Sequence, residues 1–322
     1  MAEKPVFKVG ISFHSFASEY LTYVYSFEDL MEMAGSLGRG VEIVGPSHHR
    51  GFPYVTDEFE RAFKSSVERY NLIPTSYGSY ADPFMLPDHN LTPDELYAYT
   101  VPQLQGAAKL GFPVVRLQYF AAPVAERLIP WAEKLNLKMG YELHCPLDIE
   151  SPESQELIAQ IERIGSDRLG LVPDCGIFGR SISAHHLKMG KDLGVNAARQ
   201  QLCQDLWKQK LTYAQAEERF KADGAGKHDL QWLEMVWGSF GHSEPSALKD
   251  IKDYIVHFHG KYYNIVNGDE PDLRYEEVVK TLVEIGYTGW MSTEYEGAQT
   301  DSYAVCKAHQ DMVNGYIKKY TA

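Results

Sequence analysis

Short apolar runs alternate along this chain with longer stretches whose apolar residues recur at three- and four-residue spacing. The runs Phe7–Phe13, Gly40–Val44, Ile73–Tyr77, Val114–Tyr119, Lys138–His144, Leu169–Asp174, Tyr254–Lys261 and Gly289–Glu294 predict eight strands. The stretches between them predict amphipathic helices, among them Phe27–Ser36, Asp57–Tyr70, Pro93–Leu110, Pro123–Lys134, Pro152–Ile164 and Tyr275–Ile285. Glycine closes a helix shortly before a strand in Leu110-Gly111-Phe112-Pro113 and in Ile285-Gly286-Tyr287-Thr288-Gly289. Strands that are each followed by a helix imply a parallel sheet with right-handed crossovers. Eight of them fit an α/β fold of one domain over residues 1–322, a closed (β/α)8 TIM barrel with no exposed edge. An open doubly wound sheet would carry a Gly-rich phosphate loop after the first strand, and Ser12-Phe13-His14-Ser15-Phe16 is not one.

The regular alternation breaks between the sixth and seventh strands. From Cys175 to Asp253 the pattern predicts a helical insertion, centred on about 177–250, with segments at Ala198–Lys208, Tyr213–Ala222 and Leu230–Trp237. A connection of that length usually has a function, as a lid or as a surface for another subunit. Two of its tryptophans, Trp232 and Trp237, fit either a contact with a partner or packing within the insertion.

Composition narrows the partners. The 322 residues are 44% hydrophobic, enough for a large core, and Lys+Arg 31 against Asp+Glu 44 leaves a formal charge of −13. An acidic surface opposes nucleic-acid binding, which needs a basic face. No apolar run reaches membrane-spanning length, and Met1-Ala2-Glu3-Lys4-Pro5 leads into a strand without a signal-peptide pattern. Cys145, Cys175, Cys203 and Cys306 form no CxxC pair or disulfide framework, so a reduced, cytoplasmic setting is expected.

Four late strands end in metal-ligand residue types: Glu142, Asp174, His259 and Glu294. In a (β/α)8 barrel the strand C-termini carry the chemistry, and strands five to eight are neighbours around one arc. Three oxygen donors and one imidazole there suit a shared Mn²⁺, Mg²⁺ or Co²⁺ better than a structural zinc. Side-chain alternation puts His144, Lys261 and Glu296 on the same inward face and turns Cys145 and Cys175 away. His144 is the candidate general base, with substrate binding as its other possible role, and Lys261 is a candidate acid or substrate contact. His257, deeper in its strand, reads as a buried supporting histidine.

The early strands also end in polar groups, namely His14, Glu42, Tyr77, Arg116 and Gln118. An inward Arg116 suits a polyhydroxylated or anionic substrate, with Glu42 either beside the substrate or ion-paired to the arginine. Of the adjacent His48 and His49, only one is expected to face the pocket, and His49 is the candidate. His185 and His186 are expected at the surface or in a lid.

The Glu–Asp–His–Glu series resembles that of the xylose-isomerase-like TIM barrels, which include sugar isomerases, ketose 3-epimerases and an endonuclease branch. Further segments are similar to the large subunit of bacterial C-glycoside deglycosidases. They are Gly10-Ile11-Ser12-Phe13-His14-Ser15-Phe16, Tyr25-Ser26-Phe27-Glu28-Asp29-Leu30, Gly40-Val41-Glu42-Ile43-Val44-Gly45, Arg50-Gly51-Phe52-Pro53, Leu110 to Tyr119, and Glu142-Leu143-His144. The resemblance covers nearly the whole chain. It implies a divalent metal, usually manganese, on Glu142, Asp174, His259 and Glu294, with His144 as base. It also implies a 3-oxo-glucoside of a plant polyphenol as substrate and a small β-sandwich partner subunit in an oligomeric enzyme. The expected activity is a metal-dependent lyase. Three alternatives remain: an isomerase or epimerase using the same first step, an endonuclease that the acidic charge opposes, and a non-enzymatic sugar-binding or assembly module.

Overall fold

The computed structural model describes residues 5–49, 51–298 and 301–322, so Arg50 of the quoted segment and the first four residues lie outside the described part. Eight parallel strands make the centre. They are β1 (Lys8–Ser12), β2 (Gly40–Val44), β3 (Ile73–Gly78), β4 (Val114–Leu117), β5 (Lys138–Leu143), β6 (Leu169–Pro173), β7 (Phe258–Tyr262) and β8 (Trp290–Tyr295). Their order is β6-β5-β4-β3-β2-β1-β8-β7. Bridges from Leu171 to Ile255 and from Asp174 to His259 join the two ends, closing a TIM barrel.

The helices start and stop where the side chains supply or remove backbone partners. Ser26 with Asp29, and Thr92 with Glu95, form capping boxes at Phe27–Ser36 and Pro93–Leu110. Gly111, at φ 89°, ends the second of these in the left-handed conformation that glycine adopts without a Cβ clash.

Most strands match the apolar runs to within one or two residues. The seventh does not: Lys252–Tyr254 is a 3₁₀ turn, and the strand starts only at Phe258. The preceding segment packs against β5 and β6, where a Cβ on Gly170 would stand 2.2 Å from the Tyr254 carbonyl oxygen. Tyr254, Ile255 and Val256 are half-buried against those strands, and the isolated bridge from Ile255 to Leu171 is not extended into a strand there.

Between β6 and β7 lie helices Ala184–Asp192, Ala197–Lys208, Tyr213–Ala222 and Lys227–Trp237. Their tryptophans pack within the insertion, Trp207 against Phe240 and His242. Trp207, Trp232 and Trp237 are buried and donate to the carbonyls of Phe240, His186 and Leu211 at 3.0, 2.7 and 2.9 Å. Internal packing therefore accounts for them. His186, expected at the surface or in a lid, is buried as well, bonded to Ser183 at 2.8 Å and to Ser239 at 3.1 Å.

No described helix is long and apolar enough to cross a membrane.

Candidate metal centre and pocket

The four expected donors converge at the C-terminal mouth of the barrel. Glu142 is near the end of β5, Asp174 just past β6, His259 in β7 and Glu294 near the end of β8. One ligand atom from each lies within 4.8 Å of all the others. His259 Nδ1 is 2.7 Å from Glu142 Oε1, 3.2 Å from Glu294 Oε2 and 4.0 Å from Asp174 Oδ2. Ligands held about 2.1 Å from one cation in octahedral geometry stand roughly 3 Å apart, so this spacing suits a shared ion.

Local chain geometry aims these atoms. Asp174 caps the 3₁₀ turn Cys175–Ile177, and its Oδ1 accepts from the Gly176 amide at 2.7 Å. Its Oδ2 is left buried with no hydrogen bond and faces the cluster. Three carboxylates in a buried space demand a positive charge. Without an ion, burial raises the Asp174 carboxyl well above its usual range, with Lys261 opposing and Glu294 and Glu142 adding to the shift. Burial would lower the His259 imidazole, but Glu294, Glu42 and Glu142 overcome it and raise it well above the normal value. A divalent cation would answer both demands, so the donor set and its orphaned oxygen fit one.

A cavity of about 510 Å³ opens beside these donors, a size suited to a small molecule. Glu142 and Glu294 line it together with His14, Arg116, Gln118, His144, Lys261 and Glu296. His144 Nδ1 donates to the Cys145 carbonyl at 2.7 Å, so its neutral ring carries the lone pair on Nε2. That nitrogen is in short contact with Lys261 Nζ. Burial and then the Lys261 charge lower the His144 pKa from 6.5. Lys261 is in turn paired with Glu296 at 2.9 Å, and Glu296 reaches His14 Nε2 at 3.4 Å. The Glu296 hydrogen bond raises His14 above 6.5 despite burial.

Arg116 Nη1 stands 3.3 Å from Glu142 Oε2, in space left by Gly78, where a Cβ would meet Arg116 Nη2 at 2.9 Å. Gln118 Oε1 accepts from the Ala81 amide at 3.3 Å, leaving its NH₂ as the unspent end.

Two expected substrate contacts are elsewhere. Glu42 is fully buried and absent from the cavity wall, and it does not pair with Arg116. Its carboxylate instead meets Ser12, His257 and His259 from below. His49 points away from the cavity into an aromatic layer, with its Nε2 2.7 Å from the Tyr77 hydroxyl and its ring against Phe52 and Phe59. Tyr77 is turned outward with it, because it sits at an odd position of β3. Pro46, Ser47 and Tyr80 take the places in the wall that were given to these groups. Pro46 and Ser47 lie in the short helix Gly45–His48 after β2 and Tyr80 in the loop after β3, connections whose path no periodicity records.

His257 is the buried support it was expected to be, 2.8 Å from Ser292 Oγ and 3.1 Å from Glu42. Cys145 and Cys175 are buried and free, with Cys175 set against Tyr275. No residue between 177 and 250 lines the cavity.

A barrel with a carboxylate–imidazole cluster on four successive strands defines a class, and comparison with known proteins agrees. The model of the xylose isomerase-like TIM barrel family matches residues 32–313, and the chain belongs to that family. Within it, the chain is 35% identical over 318 residues to the 3'-dehydrocarminate deglycosidase alpha subunit of Microbacterium sp., covering 90% of this chain and 88% of that one. It is 31% identical over 298 residues to a C-glycoside deglycosidase alpha subunit of Arthrobacter globiformis, covering 90% and 85%. At this identity and coverage the chain belongs with the alpha subunits of C-glycoside deglycosidases. The solved structure of L-ribulose 3-epimerase shares the fold, with a TM-score of 0.60 at 12% identity over 98% of this chain and 96% of that one.

Proposed function

We propose that this protein is a metal-dependent lyase that cleaves 3-oxo-glucosides of aromatic aglycones, at a C-glycosidic or O-glycosidic bond. The observation that carries the reading is the convergence of Glu142, Asp174, His259 and Glu294 at one edge of a cavity that also presents His144 and Lys261. Glu142, Asp174, His259 and Glu294 would hold the cation, with Mn²⁺ the best match to the donor set and Mg²⁺ or Co²⁺ as alternatives. Bound there, the cation supplies positive charge beside the oxygen on which negative charge develops.

A ketone at sugar C3 makes the C2 hydrogen acidic. His144 Nε2 takes that proton once Lys261 is drawn toward Glu296, and the enolate electrons then form the C1=C2 bond. The bond from C1 to the aglycone breaks, and the departing aglycone carries off the electron pair. It is protonated by the imidazolium that His144 has become, so the ring returns to its neutral state. Lys261, kept charged by Glu296, binds a sugar oxygen next to the base. His14, Arg116 and Gln118 hold sugar hydroxyls from the other wall. A small β-rich partner subunit completes the enzyme in the cytoplasm, and the names of the related alpha subunits support that pairing.

The test is incubation of the metal-loaded chain with a 3-oxo-C-glucoside, alone and with a co-expressed small subunit. Aglycone release that stops on chelation is expected. A rearranged sugar with no release would overturn the lyase in favour of an isomerase or epimerase.

A further inference from the structure

The buried carboxylate of Glu42 has no part in the cavity, yet it sits directly behind the cation site. It projects from β2 and meets His259 of β7 and His257 just before it, and β7 is not its neighbour in the sheet, so the contact spans the barrel interior. Oε1 accepts from Ser12 Oγ at 3.1 Å. Oε2 lies 3.1 Å from the Nε2 of both His257 and His259. All four groups are fully or almost fully buried.

A carboxylate only accepts hydrogen bonds, so the His259 nitrogen facing it must carry the hydrogen. With Nε2 protonated, the lone pair of a neutral His259 is on Nδ1, the atom aimed at Glu142, Glu294 and Asp174. A ring of the opposite tautomer would offer the cluster a hydrogen in place of a ligand atom. Ser12, and His257 with Ser292 behind it, hold the carboxylate in place.

We propose that Glu42 is a positioning residue for the cation site: it fixes the tautomer and the ring plane of His259. The assignment rests on the cation reading of the four donors and is independent of which bond the enzyme cleaves. Hydrogen-bonded carboxylates behind metal-bound histidines are a recurring arrangement, and their loss weakens metal binding.

The test is a titration of the chelator-stripped chain with Mn²⁺ alone, following free Mn²⁺ by electron paramagnetic resonance. The unaltered protein should bind Mn²⁺; if it does not, the cation reading itself fails. Glu42→Gln keeps the shape but removes the charge and turns one of the two acceptor oxygens into a donor, and it should weaken Mn²⁺ binding by about 10–100-fold in folded protein. Affinity within twofold of the unaltered chain would overturn the assignment. Ser12→Ala leaves the Glu42 charge in place and guards against a Glu42→Gln chain that does not fold. It should weaken binding several-fold, and unchanged affinity there would also count against the proposal. A merely structural role would not alter the ring nitrogens. In Zn²⁺-loaded protein, ¹⁵N spectra should show His259 with a hydrogen on Nε2 and lose that pattern in Glu42→Gln. Glu42, His257 and His259 are also close enough to ligate an ion themselves. Loss of a second metal equivalent in Glu42→Gln, with the first site unchanged, would make Glu42 a ligand and overturn the positioning role.

Discussion

The two halves of the barrel mouth are built differently. Strands β5 to β8 contribute the four donors, His144, Lys261 and Glu296, with Asp174, His259, Lys261 and Glu294 buried, Glu142, His144 and Glu296 half-buried, and the group tied together by charge. Strands β1 to β4 contribute a wall of His14, Tyr80, Arg116 and Gln118, followed by loops that leave apolar side chains in solvent. Leu21, Tyr23, Val24, Tyr54, Phe84 and Met85 all stand in the connections that follow β1, β2 and β3. After β5 to β8, Val266 alone among the described residues is a comparably exposed large apolar group. Under the proposed function, the first arc carries the chemistry and the second carries recognition, the division expected where reaction is shared across a family and substrate is not.

Mutations in the two arcs should separate these roles. Asp174→Asn removes the charge from the one donor whose free oxygen has no other partner. It should abolish metal retention and reduce aglycone release by about 10⁴-fold, reflecting the several kcal/mol that a Lewis acid supplies. Metal analysis beside a rate assay checks this. His144→Gln should cost about 10³-fold in kcat while leaving bound metal unchanged, as expected for loss of a general base. Loss of metal in that variant would break the distinction between ligand and base.

The pH profile sharpens the same arc. His144 must be neutral to accept a proton, and burial together with Lys261 lowers its pKa below 6.5. Activity should therefore hold through neutrality and fall about tenfold per unit only on the acid side of 6.5. Lys261→Met removes the neighbouring positive charge, so the acid limb should move to higher pH. The smallest effect is expected from the recognition arc. Tyr80→Ala should raise KM by roughly 2–10-fold, the value of one aromatic contact, with kcat and metal content preserved. A fall in metal content there would contradict the division between the arcs.

Much of this arrangement was legible in the chain. The alternation of apolar runs and helical periodicity gave the barrel, and donors at the ends of four successive runs gave the cluster. His144, Lys261 and Glu296 followed from counting in twos. Depth within the barrel did not follow, because it depends on strand tilt and stagger, which a hydrophobic run does not record. Glu42 and Glu142 look alike, each an acid in a buried strand. Yet Glu42 is third of five in β2 and lies under the cluster, whereas Glu142 is fifth of six in β5 and reaches the cavity. His49 was misplaced for a related reason. The chain forms a short helix at Gly45–His48 directly after β2, so strand alternation no longer applies there.

The central claim is that this arc removes a proton from the carbon next to a ketone. It is tested most directly with a 3-oxo-glucoside deuterated at C2, incubated with the Mn²⁺-loaded enzyme and its small subunit, and quenched early for mass spectrometry. The account predicts that every released aglycone is matched by a sugar product without deuterium at C2. Release of the aglycone with the deuterium still on the sugar would mean cleavage at C1 without C2 deprotonation, and would contradict it.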